Sequence, residues 1–285
     1  MVIGHSSMPD IIQFWIFSFH MPLFFILSGM MSKWGKISFL QFFIRKLIVL
    51  GRPFIIYSAL CAFIIHTLKL GSFSFAKGWG DFALWFVPVL FFALLVAKGV
   101  LNCGKKHKIA LIILLPFVSG VLRFYDIRLP WNLSVVPYAS FLVILGGLSK
   151  GKTASLNWMN RWLLALFFVL TLLVSHWFHL DMSRNQCLPV IPLTIGAVAG
   201  TLFICGVSKI IDLICGRLSR ILQSVGRETF IILSFSQVFI MSINKYLMLN
   251  TVVKYVLLVV ALVVVKYMKD MVVDNYKSIP KNRKS

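Results

Sequence analysis

The chain has 285 residues, 59% of them hydrophobic, with a mean hydropathy of +0.91 and a formal net charge of +21. Soluble domains are about 45–50% apolar and about 25% charged; at 13% charged residues this chain is excluded from that class, because no soluble core hides so much apolar surface. The excess of 29 Lys and Arg over 8 acids would suit nucleic acid, but no zinc-finger, helix-turn-helix or RNA-binding pattern accompanies it, and its placement has another explanation.

A transmembrane helix needs about 20 mostly apolar residues. In chain order, that criterion predicts nine spans: Ile11–Met31, Leu47–Leu68, Phe82–Leu101, Ile109–Leu122, Trp131–Leu148, Trp162–Trp177, Leu188–Cys205, Thr229–Leu247 and Val252–Tyr267. The fourth is short and must borrow flanking residues. The expected fold is therefore an all-α, polytopic helix bundle over residues 1–270, followed by a basic tail over 271–285. The end of that tail, Lys277–Ser285, reads as polar and unstructured.

Basic residues collect on one side of such a bundle, the cytoplasmic one. Assigning alternate connections to one side places 22 Lys and Arg there and 7 on the other. The charge is thus a topology signal, with the C-terminus inside, and it calls for a lipid bilayer with anionic headgroups and for no nucleic acid. The segment Ser208–Val225 sets Ile210, Ile211, Leu213, Ile214, Leu218 and Ile221 among Lys209, Arg217 and Arg220. This basic amphipathic pattern fits either a helix on the membrane surface or a loop helix packed on the bundle.

The start, Met1-Val2-Ile3-Gly4-His5, has no basic region of the kind a signal peptide carries. It reads as the outer end of a hydrophobic helix that begins earlier. Five cysteines without a CxxC pair suit small apolar fillers better than a disulfide framework or a metal site, so no metal is expected.

Ionisable groups within a bilayer are costly and mark inward faces. His20 lies midway along the first span and shares a helical stripe with Gln13, Phe17 and Phe24. Pro22 cannot donate to the Ser18 carbonyl and is expected to kink the helix there. An ordinary histidine, with a pKa of about 6.5, suits general base catalysis near neutrality, which makes His5 and His20 candidates; a packed or interfacial histidine is the plainer reading of each. Arg45, Lys46 and Arg52 cluster at the start of the second span and are able to grip phosphates, or are simply topology residues. His66, His176, His179 and Asp181 lie near outer helix ends. No GxSxG, P-loop, HExxH or dinucleotide turn occurs, and the single glutamate, Glu228, makes a paired-carboxylate mechanism improbable.

Several segments together resemble one family. Ser18-Phe19-His20-Met21-Pro22-Leu23-Phe24-Phe25-Ile26-Leu27-Ser28-Gly29 is closely similar to the "FHMPLFFxxSG" segment of acyltransferase-3 membrane proteins. Leu84-Trp85-Phe86-Val87-Pro88-Val89-Leu90-Phe91 resembles their "LWFLPALF" segment. Val2-Ile3-Gly4-His5-Ser6, Leu129-Pro130-Trp131 with Gly146-Gly147, and Val225-Gly226-Arg227-Glu228-Thr229 match weaker signatures in the family's order. The nearest likeness is to sugar O-acetylase-like members without an extracytoplasmic domain.

The resemblance implies ten helices, the first mostly absent here. It implies an inner-membrane enzyme that moves an acyl group, most commonly acetyl, from cytoplasmic acyl-CoA to a carbohydrate hydroxyl bound for the surface. No permanently bound cofactor is implied; acetyl-CoA or another acyl-CoA is the donor substrate. His5 would be the catalytic histidine with His20 in support, and Arg45, Lys46 and Arg52 would hold the CoA phosphates. Gln13, Ser28 and Trp85 would line the substrate passage. The sequence departs from the family at Val49, where the second residue of a basic pair stands, and at Ser236, where a histidine is frequent. A transporter or flippase for a lipid-linked saccharide, or an inactive truncated member of the family, is the competing reading.

Overall fold

In lipid, a backbone can satisfy its polar groups only as a helix or a closed barrel, and this chain forms helices. A computed structural model describes residues 10–35, 37–71, 83–151, 160–247 and 251–278. The helices are α1 (Asp10–Met31), α2 (Phe39–Lys46), α3 (Arg52–Thr67), α4 (Phe86–Asn102), α5 (Lys105–Phe124), α6 (Val136–Ser149), α7 (Arg161–Trp177), α8 (Val190–Ile214), α9 (Gly216–Arg227), α10 (Thr229–Tyr246) and α11 (Thr251–Ser278). No β-strand occurs among the described residues.

Each predicted span has its helix. Five stretches are long and apolar enough to cross a bilayer: Ile11–Met31, Phe39–Thr67, Lys105–Phe124, Pro130–Ser149 and Val190–Ile214. α4 and α7 are shorter apolar helices. The fourth span does borrow flanking residues, reaching 20 residues as α5. The seventh runs nine residues beyond its expected end at Cys205, to Ile214. That extension divides the amphipathic segment Ser208–Val225 at Cys215, giving its first part to α8 and its second to α9. α11 continues through residue 270 to Ser278, so the tail expected to start at 271 begins inside a helix.

The second span starts earlier than its apolar run. Ser38 accepts from the Gln41 backbone while the Gln41 side chain accepts from the Ser38 backbone, a capping box that starts α2. α2 then continues through a π-helical stretch, Leu47–Gly51, directly into α3. Pro53 follows that wider turn, where its missing N–H is accommodated without breaking the helix.

The bundle is built around α1, which packs on α6, α8 and α7. Small residues let the backbones approach. A Cβ at Gly29 would overlap the Val143 carbonyl oxygen and lie 2.9 Å from the Gly147 nitrogen. A Cβ at Gly146 would overlap the Ile26 carbonyl oxygen. Gly200 of α8 leaves room for Phe19, and Gly196 for Val174 of α7. The buried face of α1 is therefore the Ser18, Phe19, Phe25, Ile26 and Gly29 side. Large apolar residues point outward instead, among them Ile113 and Phe117 on α5, Leu173 on α7 and Val263 on α11, as lipid contact requires.

All five cysteines are free thiols. Cys61 and Cys187 are buried, and Cys215 is exposed between α8 and α9. Burial pushes the Cys187 thiol up from its usual range; the Asp181 carboxylate raises it further, against a smaller opposing pull from Arg123. Only the thiolate reacts quickly with alkylating agents. Brief maleimide treatment near neutral pH should therefore modify Cys215 and spare Cys61 and Cys187, as read by peptide mass spectrometry. Rapid labelling of Cys187 would contradict this packing.

Candidate functional site

His20 sits on α1 with its ring half-buried. Its Nδ1 lies 3.1 Å from the Ile16 carbonyl oxygen. A carbonyl only accepts, so Nδ1 carries the proton and Nε2 holds the lone pair of the neutral ring. The sequence around it explains the geometry. Residue 16 sits one turn earlier on the same side, and Ser18 likewise turns back, donating to the Trp15 carbonyl at 2.7 Å. Pro22 lies within α1, and the helix continues past it to Met31.

The stripe Gln13, Phe17, His20 and Phe24 is half-buried along its length. It flanks the face sealed against α6 and α8 rather than forming it. Phe17 meets His20 edge-on with centroids 5.0 Å apart. At its far end, Phe24 meets Phe86 of α4 at 5.8 Å, and Phe25 meets the same ring at 4.9 Å. The "FHMPLFF"-like and "LWFLP"-like segments are thus brought into contact. Trp85, in a short 3₁₀ turn before α4, is buried and meets Phe86 edge-on at 6.4 Å. Ser28 is half-buried, and its carbonyl accepts from Ser32 at 2.8 Å. The Gly29 and Gly146-Gly147 signatures meet at the α1–α6 crossing. His5 lies outside the described residues.

The basic cluster is arranged differently from its spacing in sequence. Arg45 and Arg52 are exposed, and Lys46 is half-buried with its ammonium 5.4 Å from the Phe42 ring centroid. The Lys98 ammonium shares that ring at 5.8 Å. No ion pair among the described residues involves Arg45, Lys46, Arg52 or Lys98. Lys98 is 1% exposed and donates to the Trp34 carbonyl. Lys150 donates to the Ser32 carbonyl at 2.9 Å, and the Trp34 indole to Gly29 at 2.9 Å. Two cations thus bond carbonyls just beyond the C-terminal end of α1, Ser32 and Trp34, where positive charge also suits the negative end of a helix.

Sequence reasoning counted Lys98 among the connection charges. It is a buried residue of α4, and the signal was its position inside a predicted apolar span. Glu228, at the Gly226-Arg227-Glu228-Thr229 junction, pairs with Lys269 of α11 at 2.6 Å. The Thr229 hydroxyl donates to the Gly226 carbonyl at 2.6 Å. That signature is therefore a joint between α9, α10 and α11. Asp181 caps a 3₁₀ turn, accepting from the Ser183 backbone at 2.9 Å, which is a structural task. His176 and His179 line a groove of about 550 Å³ with Ile11, Phe14 and Ser175, and Phe14 lies 4.0 Å from the His179 ring.

No curated protein and no solved structure matches the chain. A family model does: the acyltransferase domain of the acyltransferase-3 type matches residues 1–269. With its all-helical bundle, its apolar spans and the contact between the His20 and Trp85 segments, the chain belongs to the acyltransferase-3 family of membrane proteins.

Proposed function

We propose that the chain is an O-acyltransferase that moves an acyl group, in the commonest case acetyl, from acyl-CoA to a hydroxyl of a surface or lipid-linked carbohydrate. The family match over residues 1–269 carries the reaction class. The His20 tautomer and the cations around Phe42 support the choice of chemistry. In this reading the donor docks at the strongly basic side of an inner membrane, where the C-terminus also lies. Arg45, Lys46 and Arg52 face its phosphates, with the buried Lys98 adding positive charge behind the Phe42 ring.

The thioester reaches toward the His20 stripe past Ser28, with Gln13 and Trp85 lining the way. His5 accepts the proton of the acceptor hydroxyl, with His20 assisting through Nε2. The hydroxyl oxygen forms its bond to the thioester carbonyl carbon, the C–S bond breaks, and the CoA sulfur takes the proton from the imidazolium. The products are an ester and CoA thiol. No metal and no second cofactor are needed for that balance.

The test compares base-labile acetyl on surface carbohydrate in cells with and without the gene, alongside transfer from labelled acetyl-CoA by the purified protein. Acetyl present only with the gene, and label incorporated in vitro, is the expected result. Equal acetylation in both strains with a change in the amount of saccharide reaching the surface would replace this reading by saccharide transport.

A further inference from the structure

α9 is built the wrong way round for a helix packed on protein. Leu218, Ile221, Leu222 and Val225 follow i, i+3, i+4 and i+7, one apolar stripe, and they are 42–60% exposed. The side turned to the bundle is polar. Ser219, the one buried residue of the helix, donates to Asp212 of α8 at 2.7 Å and accepts from Gln223 at 3.1 Å. A loop helix covering a core would show the reverse.

Its tethers fix where it lies. One residue, Cys215, joins α9 to α8, and one, Glu228, joins it to α10. α8 is a candidate membrane span whose last residues, Leu213 and Ile214, are themselves exposed. A 12-residue helix held so closely at both ends cannot leave the boundary of the bilayer. Charge completes the match: α9 carries Arg217, Arg220 and Arg227 with no acid, and Lys209 stands nearby on α8. Arg217 borders the apolar stripe, where a guanidinium reaches headgroup phosphates while its stem stays in apolar surroundings.

We propose that α9 is a lipid-surface helix that inserts Leu218, Ile221, Leu222 and Val225 into the headgroup–acyl boundary and holds anionic phospholipid through its arginines. The Asp212–Ser219–Gln223 bonds then act as a strut that sets its roll angle. A lipid headgroup surface, rather than a second protein, is the occupant, because apolar stripe, flanking cations and tethering to spans coincide on one short element.

The experiment uses the full chain in nanodiscs of phosphatidylcholine alone or mixed with phosphatidylglycerol. Cys103, Cys205 and Cys215 are replaced by serine, leaving the two buried thiols in place. A nitroxide is attached at Ile221→Cys or, on the opposite face, at Gly216→Cys, where nothing lies within 4 Å of an added Cβ, and its accessibility to oxygen and to a water-soluble nickel complex is measured. The expected result is an oxygen-to-nickel ratio several-fold higher at position 221 than at 216. Phosphatidylglycerol should raise it further, and the triple variant Arg217→Gln, Arg220→Gln, Arg227→Gln should abolish that rise. Equal ratios at the two positions would mean that α9 lies in water. Protection of position 221 from both reagents would mean that protein covers the stripe. Either result overturns the proposal, as does a ratio at 221 indifferent to phosphatidylglycerol with the arginines intact.

Discussion

Replacing His5 by alanine is expected to lower acyl transfer by about 10²–10⁴-fold, the usual contribution of a general base, with the bundle still folded. This is the largest functional effect expected of any single change. His20 allows a finer test because its two ring nitrogens are placed differently. Nδ1 donates to the Ile16 carbonyl 3.1 Å away, and Nε2 is the basic nitrogen. Asparagine places an amide N–H near the Nδ1 position and supplies no basic nitrogen. If His20 takes part in proton movement, His20→Asn and His20→Ala lose comparable activity. If its task is only to hold the α1 backbone, His20→Asn retains activity and His20→Ala does not. Because an imidazolium cannot accept a proton, transfer by the intact protein should also fall as the pH is lowered. Full transfer by His5→Ala would remove His5 from the mechanism.

The largest structural effect is expected from single methyl groups at the α1–α6 crossing. Gly29→Ala and Gly146→Ala each drive a Cβ into a backbone carbonyl oxygen of the opposite helix, Val143 and Ile26 respectively. Backbone cannot swing aside as a flexible side chain can, so the helices must part. Overpacking of this kind typically costs about 1–3 kcal/mol. Gly99→Ala, in α4 with nothing within 4 Å of the added carbon, should be neutral or stabilising, because alanine is favoured over glycine in a helix by about 1 kcal/mol. Thermal unfolding in detergent should therefore give opposite signs for the same substitution. A midpoint for Gly146→Ala equal to that of Gly99→Ala would mean that the crossing is looser than described. Loss of transfer should accompany loss of stability at Gly29 and Gly146, since the same crossing positions the His20 stripe.

The helices and their order were legible because lipid imposes one rule on every span: a long apolar run must be helical. That rule needs no knowledge of partners, so nine spans, the apolar exterior and the approximate limits of α1, α6 and α10 follow from residue order alone. The family segments around His20 and Trp85 were legible for a related reason, since each is a local string. Their meeting through Phe24, Phe25 and Phe86 was not, because α1 and α4 are joined by contacts between residues some sixty positions apart. The same holds for the cations. Spacing grouped Arg45, Lys46 and Arg52, whereas the fold set Lys46 beside Lys98 on one Phe42 ring and left the two arginines exposed. The amphipathic segment shows the division most plainly. Its composition left a membrane surface and a protein surface equally open. The proposal of a lipid-facing stripe rests on which side of α9 the bundle occupies, and that side is marked by the Ser219–Asp212 bond between α9 and α8, which no pattern within the helix foretells.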